Sequence, residues 1–260
     1  MKLRLKFVKQ GKIRFTGHRD VARLFERAIR IVGLPVAYSE GFSPRQKVSF
    51  GLALPTCYES EAEYLDIFLT EQSILGGRSL DTASSDLRIV GTGRGEGNEF
   101  PISAIAGELS AALPGGLEVL AVDLIERGGP SLQENVTSCT WWFEIDGLDV
   151  DLAQAAVDRV LAVDVLMVER MKKRKPVTED VRPAIISLET AGAGPRGAGF
   201  LTELSSSPRV VRPAELVPGL APGHELALAR RIHQWTEHDG VRSEPLAPIV
   251  GAPRAEEHVS

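Results

Sequence analysis

Only two cysteines, Cys57 and Cys139, occur in 260 residues, and they stand far apart. That excludes a disulfide framework and any four-cysteine zinc or iron–sulfur site built from this chain alone. No run of 18 or more apolar residues occurs, which leaves no candidate membrane-spanning helix. The first ten residues, MKLRLKFVKQ, alternate charged and apolar side chains where a signal peptide has a continuous apolar core, so a cytoplasmic location is expected. His224, His233, His238 and His258 lack ligand spacing with either cysteine, and neither a metal nor a cofactor is expected. The glycine-rich stretch GTGRGEG has neither GxxxxGK[ST] order nor GxGxxG spacing, so it does not qualify as a phosphate loop.

What is present is an ordinary globular composition, with 43% hydrophobic residues available for a core, and an uneven distribution of charge. The net charge is -5, yet Met1 to Phe50 holds 12 Lys and Arg against three acids, a local +9 that leaves -14 for the remainder. A field of one sign gathered in one region bears on partners rather than on fold, and favours phosphates, nucleic acid or an acidic protein. The alternative is a solvated face on an otherwise acidic molecule.

Hydrophobic periodicity predicts a mixed α+β chain of two similar halves. Leu3, Leu5 and Phe7 alternate with Lys2, Arg4 and Lys6 as a half-buried strand, and Ile13 and Phe15 continue that period after a turn at Gly11. From His18 to Val32 the spacing becomes helical, with Val21, Leu24, Phe25, Ala28, Ile31 and Val32 on one face and Arg19, Arg23, Arg27 and Arg30 opposite. Gly33 and Pro35 stop the helix. Strands at Val48 to Leu54 and Tyr64 to Leu69, a helix at Ile102 to Leu113 and a strand at Leu117 to Ile125 complete a β-α-β-β-α-β order. The second half repeats it: a strand at Thr140 to Ile145, a helix from Asp151 to Leu161, and strands near Val165 to Met171 and Ala184 to Leu188. An extra strand at Gly199 to Leu204, a short helix after Pro213 and a strand around Leu226 to Trp235 follow. The expected architecture is tandem ferredoxin-like halves with antiparallel sheets, over 1–127 and 135–245. Within it, 71–101 is expected as an irregular insertion and 246–260 as a flexible tail.

Four places carry candidate chemistry. The arginines of the first helix present guanidinium forks suited to phosphate, or else a solvated face with a Glu26–Arg30 pair. Arg14 lies close by in sequence. His18 and Asp20 open that helix, where free N–H groups favour an anion; His18 there is a phosphate donor, a general acid or base, or a simple cap. The loop Tyr38 to Lys47 offers Tyr38 and Phe42 for stacking on a base and Arg45 and Lys47 for phosphates, unless Phe42 plugs the core. The densest charge run, Lys172, Lys173, Arg174 and Lys175, with Arg182 beyond it, either extends the basic surface or forms a solvated hairpin tip.

The stretch GHRDVARLFERAIRIVGLPVAYSEGFSPRQKVSFGLALPTCYESEAEYLDI resembles the signature region of the radical-SAM-linked family, whose members are fused to or encoded beside radical SAM enzymes and to which no reaction is assigned. The features that carry the resemblance are Gly17-His18-x-Asp20, Arg23, Glu26 and Arg27, Tyr38-Ser39-x-Gly41-Phe42-x-Pro44, Ser49, Leu54-Pro55 and Glu59-Ser60-x-x-Glu63. Arg170 to Lys175 with Asp180-Val181-Arg182-Pro183 adds a second-half element. The 71–101 segment is longer than the family pattern. With two distant cysteines the chain lacks the CxxxCxxC cluster motif, so the resemblance implies a separately encoded radical SAM enzyme as partner. The expected function is that of a non-catalytic accessory module that binds RNA, structured or transfer RNA, for that enzyme. Two alternatives stay open: a metal-independent RNA endonuclease using His18, by fold-level analogy with CRISPR repeat-processing nucleases, and a subunit that only docks on the radical SAM enzyme.

Overall fold

A computed structural model describes residues 1–70, 74–75, 88–90, 99–126, 128, 131–172 and 175–246. In chain order the elements are β1 (Lys2–Lys9), α1 (His18–Val32), β2 (Val48–Phe50), β3 (Glu59–Phe68), β4 (Ile74–Leu75), β5 (Arg88–Val90), β6 (Glu99–Pro101), α2 (Ile102–Ala112) and β7 (Leu117–Ile125). They continue with α3 (Leu132–Asn135), β8 (Val136–Asp146), α4 (Val150–Ala162), β9 (Met167–Lys172), β10 (Lys175–Asp180), β11 (Ile185–Ala193), β12 (Gly197–Ser205), α5 (Pro213–Leu220), β13 (Leu226–His238) and β14 (Val241–Ser243). The fold is mixed α+β around one nine-stranded, mostly antiparallel sheet. Its spine runs β11-β12-β8-β13-β3-β1-β7, with β14 on β13 and β2 on β3. The first half contributes β2, β3, β1 and β7, and the second β11, β12, β8 and β13. They join where β3 and β13 pair in parallel, Glu59 opposite Arg230 and Ser60 opposite Arg231. No described helix is long and apolar enough to cross a membrane.

The alternation in β1 sets the first core. Leu3, Leu5 and Phe7 face α1 and α2, and Phe7 meets Phe25 of α1 at 4.6 Å between ring centroids. Fully burying one such side chain contributes roughly 1.5–3 kcal/mol. Val21, Phe25, Ala28, Ile29 and Val32 are the buried stripe of α1. Ile29 takes the place expected for Ile31, which is exposed. At ~100° per residue Ile31 lies about 100° from the stripe's centre, whereas Ile29 lies about 60° from it. Gly33, at φ 78°, ends the helix in the left-handed region, and its N–H donates to the Ile29 carbonyl. A second core gathers Trp141, Phe143, Phe200, Val157 and Leu216. On the other face of the first-half strands, Ala62, Tyr64, Ala121 and Leu132 are closed over by Leu246.

Several expectations need correction. Ile13 and Phe15 belong to a 3-10 turn, Gly11–Phe15, rather than to a strand. The Lys9 ammonium donates to the carbonyls of Arg14 and Thr16, and the Gly11 N–H to Glu59 Oε1, bonds that draw the chain into a turn. In the second half, β9 and β10 form a separate hairpin, while Gly197–Ser205, expected as a supernumerary strand, is β12, lying between β11 and β8. Its small residues dilute the apolar signal, and Gly197 is required: a Cβ there would overlap the Ile145 carbonyl oxygen. Within 71–101, β4, β5 and β6 form a small antiparallel sheet where an irregular insertion was expected; the remainder of that span lies outside the described residues. So does 247–260 of the expected tail, whereas Leu246 is packed.

Candidate functional site

The helical period puts Arg19, Arg23 and Arg30 on the solvent side of α1, and the turn at Gly33 brings the following chain back beside them. Tyr38 and Gln46 form an isolated antiparallel bridge, and the Ser39 N–H donates to the Arg45 carbonyl at 2.8 Å. The loop 39–45 is therefore a pinned hairpin. Ser39 Oγ also accepts from the Arg45 N–H at 3.1 Å. Between helix and loop lies a groove of about 690 Å³ lined by His18, Arg19, Ala22, Arg23, Glu26, Arg30, Tyr38, Pro44, Arg45 and Gln46.

Four guanidinium groups thus meet one carboxylate in the groove. Arg23 pairs at 3.0 Å with Asp20, and both side chains are solvated; such exposed pairs contribute little, about 0.2–1 kcal/mol. Arg19, Arg30 and Arg45 have no ion pair among the described residues. Tyr38 is 56% exposed at the rim. Gln46 is only 8% exposed, and its Oε1 has no hydrogen-bond partner. His18 is exposed at the start of α1, its ring edge-on to Phe50 at 5.0 Å.

The other candidate residues lie elsewhere. Arg27 is exposed on α1 but does not line the groove, and Phe42 projects fully into solvent rather than plugging the core. Lys47 lies over the Phe68 ring at 5.2 Å. Arg14 is engaged by Glu59 at 3.3 Å and stacks on Phe15. Arg182 donates to the carbonyls of Leu161 and Val163, satisfying the C-terminal end of α4. Lys172 ends β9 and the exposed Lys175 begins β10; Lys173 and Arg174 lie outside the described residues. That hairpin borders a second pocket, with Arg170, Glu179 and Arg209, that shares no lining residue with the groove.

Much of the N-terminal positive charge is spent internally. Asp66 accepts from Lys2 at 2.7 Å and from Arg4 in a two-point fork at 2.7 and 2.9 Å. Lys6 reaches Glu244 at 2.6 Å, and His233 Nδ1 meets the same carboxylate at 2.7 Å. Lys9 is buried under the turn, and loss of water there lowers its pKa. At the junction of the halves, Arg230 bonds Glu59 and Glu61, and Arg231 bonds Glu63. Burial raises the Glu63 pKa against the opposing pull of Arg231 and a hydrogen bond from Ser60. Lys2, Lys6 and Arg14, although near α1 in sequence, are therefore held by carboxylates of the sheet and the C-terminal segment and do not line the groove. Nothing local in the sequence marks Gln46, Arg231 or Glu244, whereas Glu63 stands in the Glu59-Ser60-x-x-Glu63 pattern.

Among the described residues no group of three or more His, Cys, Asp or Glu could hold a metal ion. No curated protein matches the chain. Among solved structures, a chain from the "Crystal Structure of a Cbf5-Nop10-Gar1 Complex" is similar, at 10% identity and a TM-score of 0.42, over 89% of this chain and 48% of that one. This chain thus spans about half the length of that chain. Residues 2–87 and 96–213 match a family profile, and on that match the chain belongs to the family described as "Uncharacterized protein conserved in bacteria (DUF2344)".

Proposed function

We propose that the chain is an RNA-binding accessory module, cytoplasmic and without catalysis of its own, that works with a separately encoded radical SAM enzyme. The observation that carries the RNA reading is the groove between α1 and the Tyr38–Gln46 hairpin, where Arg19, Arg30 and Arg45 have no anionic partner among the described residues and Tyr38 stands exposed beside them. Unpaired guanidinium forks beside an exposed aromatic ring are what a phosphodiester chain with stacked bases uses. The radical SAM partner rests on the resemblance of the Gly17 to Ile67 stretch. Two ferredoxin-like halves are the finer reading of the fold, supported by the strand orders β7-β1-β3-β2 and β13-β8-β12-β11, each with two helices in βαββαβ sequence.

Binding of a labelled transfer RNA in a filter assay, over a series of salt concentrations, tests the reading. Four arginines on phosphates predict a log–log salt slope near about -3, at roughly -0.7 per contact for single strands. Arg23→Ala with Arg45→Ala is expected to flatten that slope by about one unit or more. Absent or salt-independent binding overturns the proposal.

A further inference from the structure

From the groove's donor and acceptor pattern we infer that it is a seat for an unpaired nucleotide, with its base against Tyr38 and a base N–H donating to Gln46 Oε1, which is covered in the free protein and turns toward the groove on binding; this rests on the RNA reading above. The lining is not purely cationic. Gln46 Oε1 is a buried acceptor with no partner, and the Glu26 carboxylate stands among the arginines. A ligand that carries only acceptors, such as inorganic phosphate, satisfies the guanidinium groups and leaves both of these acceptors unmatched. A nucleotide presents both kinds of group: phosphate oxygens for Arg19, Arg23, Arg30 and Arg45, a ribose hydroxyl donor for Glu26, and a base N–H for Gln46.

The base must be unpaired, because pairing occupies its donor edge and stacking in a helix covers its faces. Tyr38, exposed on the rim, offers one face for that stack. The volume of about 690 Å³ falls in the range of small-ligand pockets, roughly 300–1,000 Å³. The bridge between Tyr38 and Gln46 sets their backbones opposite each other before anything binds.

The test compares a labelled hairpin RNA with an unpaired loop of eight nucleotides and the same sequence as a full duplex, against wild type, Gln46→Leu and Tyr38→Ala. Wild type is expected to bind the loop RNA at least tenfold more tightly than the duplex. Gln46→Leu should weaken loop binding about five- to tenfold with an unchanged salt slope, and leave duplex binding as it was. Tyr38→Ala, at an exposed position that tolerates truncation, should give a similar loss, while Tyr38→Phe should not. Equal binding of loop and duplex, or unaltered loop affinity in both variants while Arg23→Ala still weakens it, overturns the nucleotide seat and leaves the RNA reading standing. No RNA binding by wild type, or competition by polyglutamate as effective as by RNA, overturns both.

Discussion

Glu63 of β3 and Arg231 of β13 form an ion pair at 3.1 Å inside the molecule, where the two halves of the sheet meet, and the Arg231 side chain is 0% exposed. The same guanidinium donates to the Leu52 carbonyl at 3.0 Å and stacks on Trp141 at 4.8 Å. The pair thus ties β3, the chain after β2, and the second core together. Arg231→Met leaves a carboxylate buried without its counter-charge, which costs about 3–5 kcal/mol. Chemical denaturation should show that loss. The double variant Glu63→Leu with Arg231→Met should recover most of it, because two apolar groups leave no unpaired charge behind.

The two thiols should separate cleanly in reactivity. Cys57 is exposed, whereas Cys139 is buried in the second core and loss of water pushes its pKa up to about 11. A native sample titrated with an aromatic disulfide reagent is expected to release one equivalent promptly and the second only on unfolding. Cys57 also holds a φ of 75°, in the left-handed region that side chains disfavour. Cys57→Gly should therefore stabilise by up to about 1 kcal/mol in the same denaturation assay.

The parts of the fold that announce themselves in the sequence are those in which one element supplies its own pattern. Most of the α1 stripe, all but the exchange of Ile29 for Ile31, its Gly33 stop and the apolar alternation of β1 are read off directly, since a helix or strand packed on a core repeats its apolar residues at its own period. The β12 strand reads weakly because Gly197, Ala198 and Gly199 carry little side chain to repeat. The charges mislead for a different reason. Whether Lys2, Arg4 and Lys6 are surface or interior is decided by Asp66 and Glu244, and Glu244 lies 238 residues from Lys6, beyond any local window. The groove was half legible: the arginine face and the Tyr38 loop were, but not the burial of Gln46, which depends on how the hairpin folds back on α1.

Acid should loosen the segment that closes the rear face of the first half. Burial alone would raise the Glu244 pKa, but hydrogen bonds from His233 and Lys6 outweigh it and hold the carboxyl below its usual range. A carboxylate depressed in the folded state stabilises above its unfolded pKa, about 4.3, and that contribution is lost as pH falls through the folded value. Glu179, drawn down to about 2 by Arg170 and then Arg209, acts in the same direction. The denaturation midpoint should therefore drop between about pH 5 and pH 2. Glu244→Gln should lower the midpoint at pH 7 and flatten that dependence.

Asp20 competes with the groove's ligand for Arg23. The carboxylate holds the guanidinium at 3.0 Å, yet both groups are solvated, so the pair itself contributes only about 0.2–1 kcal/mol. Asp20→Asn frees Arg23 and removes a negative charge from the edge of a surface on which four arginines outnumber Glu26. RNA affinity at low salt should then rise by up to about fivefold, the factor that corresponds to ~1 kcal/mol. The gain should shrink as salt is added, because screening weakens surface charges. Asp20 also stands in the first turn of α1, where a carboxylate favours the helix by about 0.3–1 kcal/mol. A small fall in melting temperature should accompany the gain in affinity. Opposite signs in binding and in stability set Asp20 apart from a residue of the ion-paired interior, whose loss lowers both. Unchanged or weaker RNA binding by Asp20→Asn at low salt would show that Arg23 does not meet the ligand.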